Sequence, residues 1–141
     1  FSGSFQLLEK TLKTTKPDAV ICSGAAAGRS TLSLERVAIN IADARIPDNA
    51  GYQPIDEMIS SQGPAAYFST LPIRQLILCL HNADVPAEIS NSAGTYVCNY
   101  VMYRLLDFLA SQETSVPAGF IHIPADIKLS NNWLKLVIKA L

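Results

Sequence analysis

The sequence predicts an α/β fold: three layers, with a central, twisted, mostly parallel sheet and helices on both faces. Three observations point there. Short apolar runs of strand length alternate with segments of helical period along the whole chain. Of the 141 residues 49% are hydrophobic and only 16% charged, which suits elements buried on more than one side. Polar residues capable of chemistry collect where apolar runs stop, as at the strand ends of open α/β sheets.

Taken in order, Phe5, Leu8 and Leu12 recur at helical spacing. Ser2 or Ser4 is the expected N-cap, Lys13 and Lys16 suit the C-terminal end, and Pro17 closes the element. Ala19-Val20-Ile21-Cys22 reads as a buried strand ending at Gly24, and Val37 to Ile41 as a second strand. Residues 43 to 63 carry Pro47, Gly51, Pro54 and Gly63 without clear period, and loops of that length are usually functional. Ala65 to Ser69 is a third strand. Pro72 sits in the first turn of the next helix, where a missing N–H costs nothing, and Ile73, Leu76, Ile77 and Leu80 mark its buried face. Ala87 to Ser90 is a fourth strand. The segment from about Thr95 to Ser111 is apolar nearly all round and reads as a central helix. Phe120 to Ile123 makes a fifth strand and Asn131 to Leu141 a closing helix. No internal repeat, low-complexity tract or second domain interrupts this pattern, so residues 1–141 are expected to form one domain.

Composition narrows the function. A net charge of −1 gives no basic footprint, which argues against nucleic acid as a partner. Three cysteines without CxxC spacing fit neither a disulfide scaffold nor a zinc ribbon. They suit a reducing, cytoplasmic compartment. No apolar run approaches the ~20 residues of a membrane span. The chain opens on Phe1 rather than Met, so the native protein is expected to begin upstream.

The chemistry concentrates on a cysteine. In Ser92-Ala93-Gly94-Thr95-Tyr96-Val97-Cys98-Asn99 the sulfur falls in the first turn of the long helix. Unpaired N–H groups and the helix dipole there favour negative charge, and the thiolate is the nucleophilic form. His122 lies near the end of Gly119-Phe120-Ile121-His122-Ile123-Pro124, on the strand that follows that helix, so it can return beside Cys98. Read singly, Cys98 is equally a small core residue and His122 a satisfied core histidine. Together they form a nucleophile and base, which need an orienting third group. Glu35 is that candidate, at the entry to the strand beginning at Val37. Its plainer reading is a solvated carboxylate paired with Arg36. Cys22 and Cys79 read as core residues and His81 as exposed. Gly24-Ala25-Ala26-Ala27-Gly28-Arg29 lacks the spacing of a phosphate loop, so a phosphate- or nucleoside-binding protein is the weaker reading. No other Cys or His is spaced to complete a metal site with Cys98 and His122, and no metal or organic cofactor is expected.

Three stretches carry a specific resemblance: Gly24 to Asn40, Ile89 to Asn99, and Gly119 to Pro124. Asp43 to Asn49, Gln53 to Asp56 and Gly63 to Pro72 lie between them and add to it. In content and order these segments resemble the glutamate, cysteine and histidine motifs of pyroglutamyl peptidase I (pyrrolidone-carboxylate peptidase), a cytosolic cysteine exopeptidase family. The resemblance covers the chain to about residue 124. It implies that Glu35, Cys98 and His122 form a catalytic triad that removes N-terminal pyroglutamate through a thioester. It further implies that Tyr96 packs on the lactam ring, its plainer reading being ordinary core packing, and that Arg45 helps hold the oxyanion, its plainer reading being a surface salt bridge. Substrates would be pyroglutamyl peptides, with neither nucleic acid nor membrane as partner. A homo-oligomer, dimer or tetramer, would be joined through Ile46, Tyr52 and Ile55.

Two departures qualify the expectation. The family's Gly-Gln-Ala-Gly-Gly-Arg reads here Gly24-Ala25-Ala26-Ala27-Gly28-Arg29, so the substrate-facing Gln position is Ala25. The family's opening strand and its Gly-Phe-x-Pro-Phe-Gly loop have no counterpart, which makes this chain N-terminally truncated relative to the family. The alternative is therefore a non-catalytic relative that acts as a subunit or binding module.

Overall fold

The computed structural model describes residues 1–125 and 132–141. Its elements run α1 (Ser2–Thr15), β1 (Val20–Ala26), β2 (Leu32–Glu35), β3 (Val37–Ile39), β4 (Ala66–Phe68), α2 (Ile73–His81), β5 (Ala87–Ser90), α3 (Val97–Ser111), β6 (Ala118–Pro124) and α4 (Asn132–Lys139). Four strands form the main sheet in the order β1-β6-β2-β5. The β1–β6 and β2–β5 pairings are parallel and β6–β2 is antiparallel, so the sheet is mixed. β3 and β4 pair antiparallel in a separate ribbon.

Side-chain alternation along the strands builds two cores. Leu32, Leu34 and Ile121 face one way and meet Leu76 and Leu80 of α2 and Trp133 and Val137 of α4. Phe120 and Cys22 face the other way, against Met102, Leu105, Leu106 and Leu109 of α3 and Leu12 of α1. Leu34 and Met102 are fully buried, each contributing roughly 1.5–3 kcal/mol of transfer free energy. The two faces differ in kind. Ser33, Glu35 and His122 are also buried, and all three lie on the α3 side.

Several expectations change in detail. Leu32-Ser33-Leu34-Glu35 is a strand of its own in the central sheet, and Glu35 ends it rather than opening the next. The segment from Val37 belongs to the outer ribbon, as does the strand expected over Ala65 to Ser69. β2 escapes a search for apolar runs because half of it is polar, although all four residues are buried. α1 starts after Phe1 with no side-chain cap, so neither Ser2 nor Ser4 caps it. Its C-cap is Lys16 in the left-handed region (φ 46°), whose N–H returns to the Leu12 carbonyl before Pro17 ends the helix. Pro72 is the residue before α2 rather than inside its first turn. β1 continues through Gly24 to Ala26. The closing helix is described from Asn132, and Asn131 lies outside the described residues.

The long loop is pinned rather than loose. Asn40 exchanges hydrogen bonds with Ser60 through its side-chain oxygen (2.8 Å) and nitrogen (2.7 Å). Asp48 accepts from the N–H groups of Ala50 and Tyr52. Asp43 and Thr95 clamp each other: the Asp43 N–H donates to the Thr95 carbonyl (3.0 Å), and the Thr95 hydroxyl donates to the Asp43 carbonyl (2.7 Å). The loop thereby anchors the connection that delivers α3. No helix among the described residues is long and apolar enough to cross a membrane.

Candidate active site

Cys98 is the second residue of α3, as its place in the sequence requires. Tyr96, the N-cap, supplies no side-chain hydrogen bond to the helix start, and the first intrahelical N–H bond is that of Tyr100 to the Tyr96 carbonyl. The amides of Val97, Cys98 and Asn99 are therefore the unpaired donors of a helix start. Gly94, at φ +77°, makes the turn before it, a conformation that other residues enter only with strain. Asn99 fixes the helix against the ribbon. Its side-chain oxygen accepts from the Ile39 N–H (2.9 Å) and its nitrogen donates to the carbonyls of Ile39 (2.9 Å) and Ile41 (3.0 Å).

The sulfur lies over β1. A Cβ placed on Gly24 would sit 3.0 Å from Cys98 Sγ and 3.1 Å from a Phe120 ring carbon, so only glycine allows this approach without displacement. Gly24 is the register partner of His122 on β6, and Ser33 is its partner on β2. Glu35 stands diagonally from His122 on the same face, and the two meet: His122 Nδ1 donates to Glu35 Oε1 at 2.7 Å. Glu35 is wholly buried and His122 is 5% exposed. With Nδ1 committed, Nε2 is the nitrogen left for the sulfur.

Charge follows geometry. Burial opposes a charged imidazole, but the nearby Cys98 sulfur and the Glu35 carboxylate outweigh it, and the His122 pKa is pushed up to about 9. Cys22 moves for another reason: burial alone pushes its thiol up to about 11. Cys79 sits in α2 with its sulfur toward the Leu136 carbonyl, and exposed His81 contacts the Ala87 carbonyl at 2.7 Å. Among the described residues no cluster of three or more metal-ligating side chains forms. An open cavity of about 470 Å³ adjoins the sulfur, with Leu7, Leu8 and Thr11 of α1 on one side and Cys22, Val101 and Phe120 on the others.

Pyroglutamyl peptidases are what this chain is similar to. A family profile with the description Pyroglutamyl peptidase matches residues 1–129. The chain belongs to the pyroglutamyl peptidase family. The pyrrolidone-carboxylate peptidase of Erwinia tasmaniensis is 55% identical over 124 residues, 88% of this chain and 57% of that protein. The enzyme of that name from Brevibacillus brevis is 52% identical over 88% of this chain and 58% of its own length. The chain thus spans little more than half the length of these curated relatives. Pyroglutamyl peptidase I of Bacillus amyloliquefaciens superposes with a TM-score of 0.90 at 40% identity, over 97% of this chain and 70% of that one. A pyrrolidone carboxyl peptidase mutant from Pyrococcus furiosus gives 0.91 at 42%, over 99% and 76%.

The fold brings Glu35, Cys98 and His122 of the family motifs to one place on the sheet. Of the three substrate-side candidates, Ala25 follows Gly24 on β1 and Tyr96 precedes α3, while Arg45 lies on the long loop. Tyr96 packs edge-on against Phe1 (5.3 Å between ring centres) and donates its hydroxyl to the Pro47 carbonyl. Ala25 is an exposed residue of β1, and Arg45 an exposed residue of the long loop. None of the three lines the cavity beside Cys98. Reading by motif also missed what surrounds Glu35. Its partner is Arg29 rather than Arg36: Arg29 Nη1 lies 2.8 Å from Glu35 Oε1, and Nη2 donates to the Ser92 carbonyl at 3.0 Å. The available signal was a lone basic residue ending the otherwise uncharged Gly24–Gly28 run.

Proposed function

We propose that this chain is a cysteine exopeptidase that removes N-terminal pyroglutamate from peptides. The observation that carries the reading is the buried relay in which Glu35 holds His122 by Nδ1 while Cys98 Sγ stands over the neighbouring Gly24. In the reaction, the Cys98 thiolate attacks the carbonyl carbon that joins pyroglutamate to the next residue. The oxyanion forms against the unpaired amides at the start of α3. The C–N bond breaks as His122 passes its proton to the leaving amine, and a thioester remains on Cys98. Water then attacks the thioester, its proton returns to His122, and free pyroglutamate departs with the thiolate restored. Glu35 fixes the tautomer and orientation of the ring throughout. The apolar cavity beside the sulfur suits the ring methylenes of a lactam. Arg45 retains an oxyanion role only if substrate draws the loop inward.

The test is hydrolysis of a pyroglutamyl chromogenic amide by this chain. Turnover that Cys98→Ala abolishes, with loss of at least a thousandfold in kcat/KM, supports the reading. A reactive Cys98 without turnover assigns the chain instead to the binding-module alternative. Free thiols at Cys22, Cys79 and Cys98 accord with a cytoplasmic site of action. Ile46, Tyr52 and Ile55 are exposed on the long loop, where an interface with a second copy would place apolar side chains.

A further inference from the structure

Arg29 and His122 converge on one oxygen. Arg29 Nη1 lies 2.8 Å and His122 Nδ1 2.7 Å from Glu35 Oε1, whereas Glu35 Oε2 is buried with no partner among the described residues. A carboxylate that serves two donors through two oxygens can satisfy each fully. Here both cations draw on the charge of one oxygen, and each weakens the other's hold. The second Arg29 nitrogen donates to the Ser92 carbonyl, in the loop that leads into the Cys98 helix. One guanidinium fork therefore spans the orienting carboxylate and the segment that delivers the sulfur, a reach suited to its planar pair of donors.

We propose that Arg29 is a positioning residue of this site, acting through Glu35: it shares the oxygen that grips His122 and so limits how tightly the carboxylate holds the imidazolium proton. The inference rests on reading Glu35, His122 and Cys98 as one unit. A histidine that serves first as acid and then as base must hold its proton, yet release it to the leaving amine. Glu35 and the Cys98 sulfur both favour the charged ring, and a positive group on the same carboxylate opposes them. The other groups on this face do not substitute for it. β5 brings Glu88, which accepts from Ser33 at 3.1 Å at the sheet edge, β1 brings the half-buried Cys22 thiol, and α1 brings only Ser4, Leu7, Leu8 and Thr11 to the cavity.

The experiment is an NMR titration of the His122 ring in the full chain, which needs no turnover. Absence of peptidase activity would defeat the functional reading while leaving this result to stand or fall alone. Arg29→Gln removes the competing charge, and the His122 midpoint should rise by roughly one pH unit. Arg29→Lys keeps the charge, and its midpoint should stay within about a third of a unit of the parent. A merely structural Arg29 predicts the opposite for the first variant: a loosened Glu35 and a midpoint that falls or stays put. Either outcome overturns the proposal. If Arg29→Gln does not fold, Arg29→Lys still decides, because a shift of a full unit with the charge retained would show that the charge is not what sets the midpoint.

Discussion

At the scale of the residue, three thiols in one small protein occupy three different surroundings. Cys98 has a helix start beneath it and an imidazole beside it. Cys22 has burial alone, which pushes its thiol up to about 11. Only thiolate alkylates, so iodoacetamide at neutral pH should label Cys98 at least tenfold faster than Cys22, as followed by peptide mass spectrometry. Equal rates would remove the case for a nucleophile. His122 supplies a second residue-scale expectation. Its folded pKa, about 9, stands above its ordinary unfolded value of about 6.5. The protonated ring thus stabilises the fold fully below about pH 6.5, and that contribution disappears as pH rises through about 9. The urea stability of the parent minus that of His122→Gln should shrink across that window. A difference that stays flat with pH would show that the ring gains no proton affinity on folding.

At the scale of the element, the start of α3 depends on a side chain that takes no part in chemistry. Asn99 satisfies one N–H and two carbonyls of the ribbon segment, and all three would lose their partner in Asn99→Ala. The expected cost is about 3 kcal/mol by urea unfolding, with slower alkylation of Cys98 because the helix start loosens. A variant that loses stability but alkylates at the parent rate would separate the ribbon contact from the site. Elements also show what the sequence made legible. Helices and the strand at Ala87–Ser90 could be read because their burial is apolar and periodic. The place of Cys98 could be read because a glycine turn and an apolar run bracket it. β2 could not, because Ser33 and Glu35 are buried as polar residues, and burial of that kind leaves no hydrophobic signature. Arg29 was hidden for a related reason: its partner, Glu35, is a buried polar residue of that strand. Nor does spacing reveal that Tyr96 turns toward Phe1 and Pro47, away from the cavity.

At the scale of the molecule, the site is assembled from parts far apart in the chain. Arg29 precedes β2, Glu35 ends it, Cys98 lies in the first turn of α3, and His122 lies near the end of β6. No single hairpin or helix holds two of Glu35, Cys98 and His122, so their arrangement persists only while the four-stranded sheet does. The sheet in turn is held by apolar cores on both faces, and β2 belongs to both: Leu34 points into the α2–α4 core while its neighbour Glu35 points to the site. Damage to one face should therefore be felt on the other. Leu34→Ala, which empties a fully buried position, should cost about 3 kcal/mol. Fast alkylation of Cys98 and the far-UV signal should disappear at the same urea concentration in the parent, and together at a lower one in the variant, as for one cooperative unit. If the fast-reacting sulfur were lost well before the secondary structure, the site would unfold on its own. The arrangement would then owe its order to local contacts of the Asp43–Thr95 clamp rather than to the sheet.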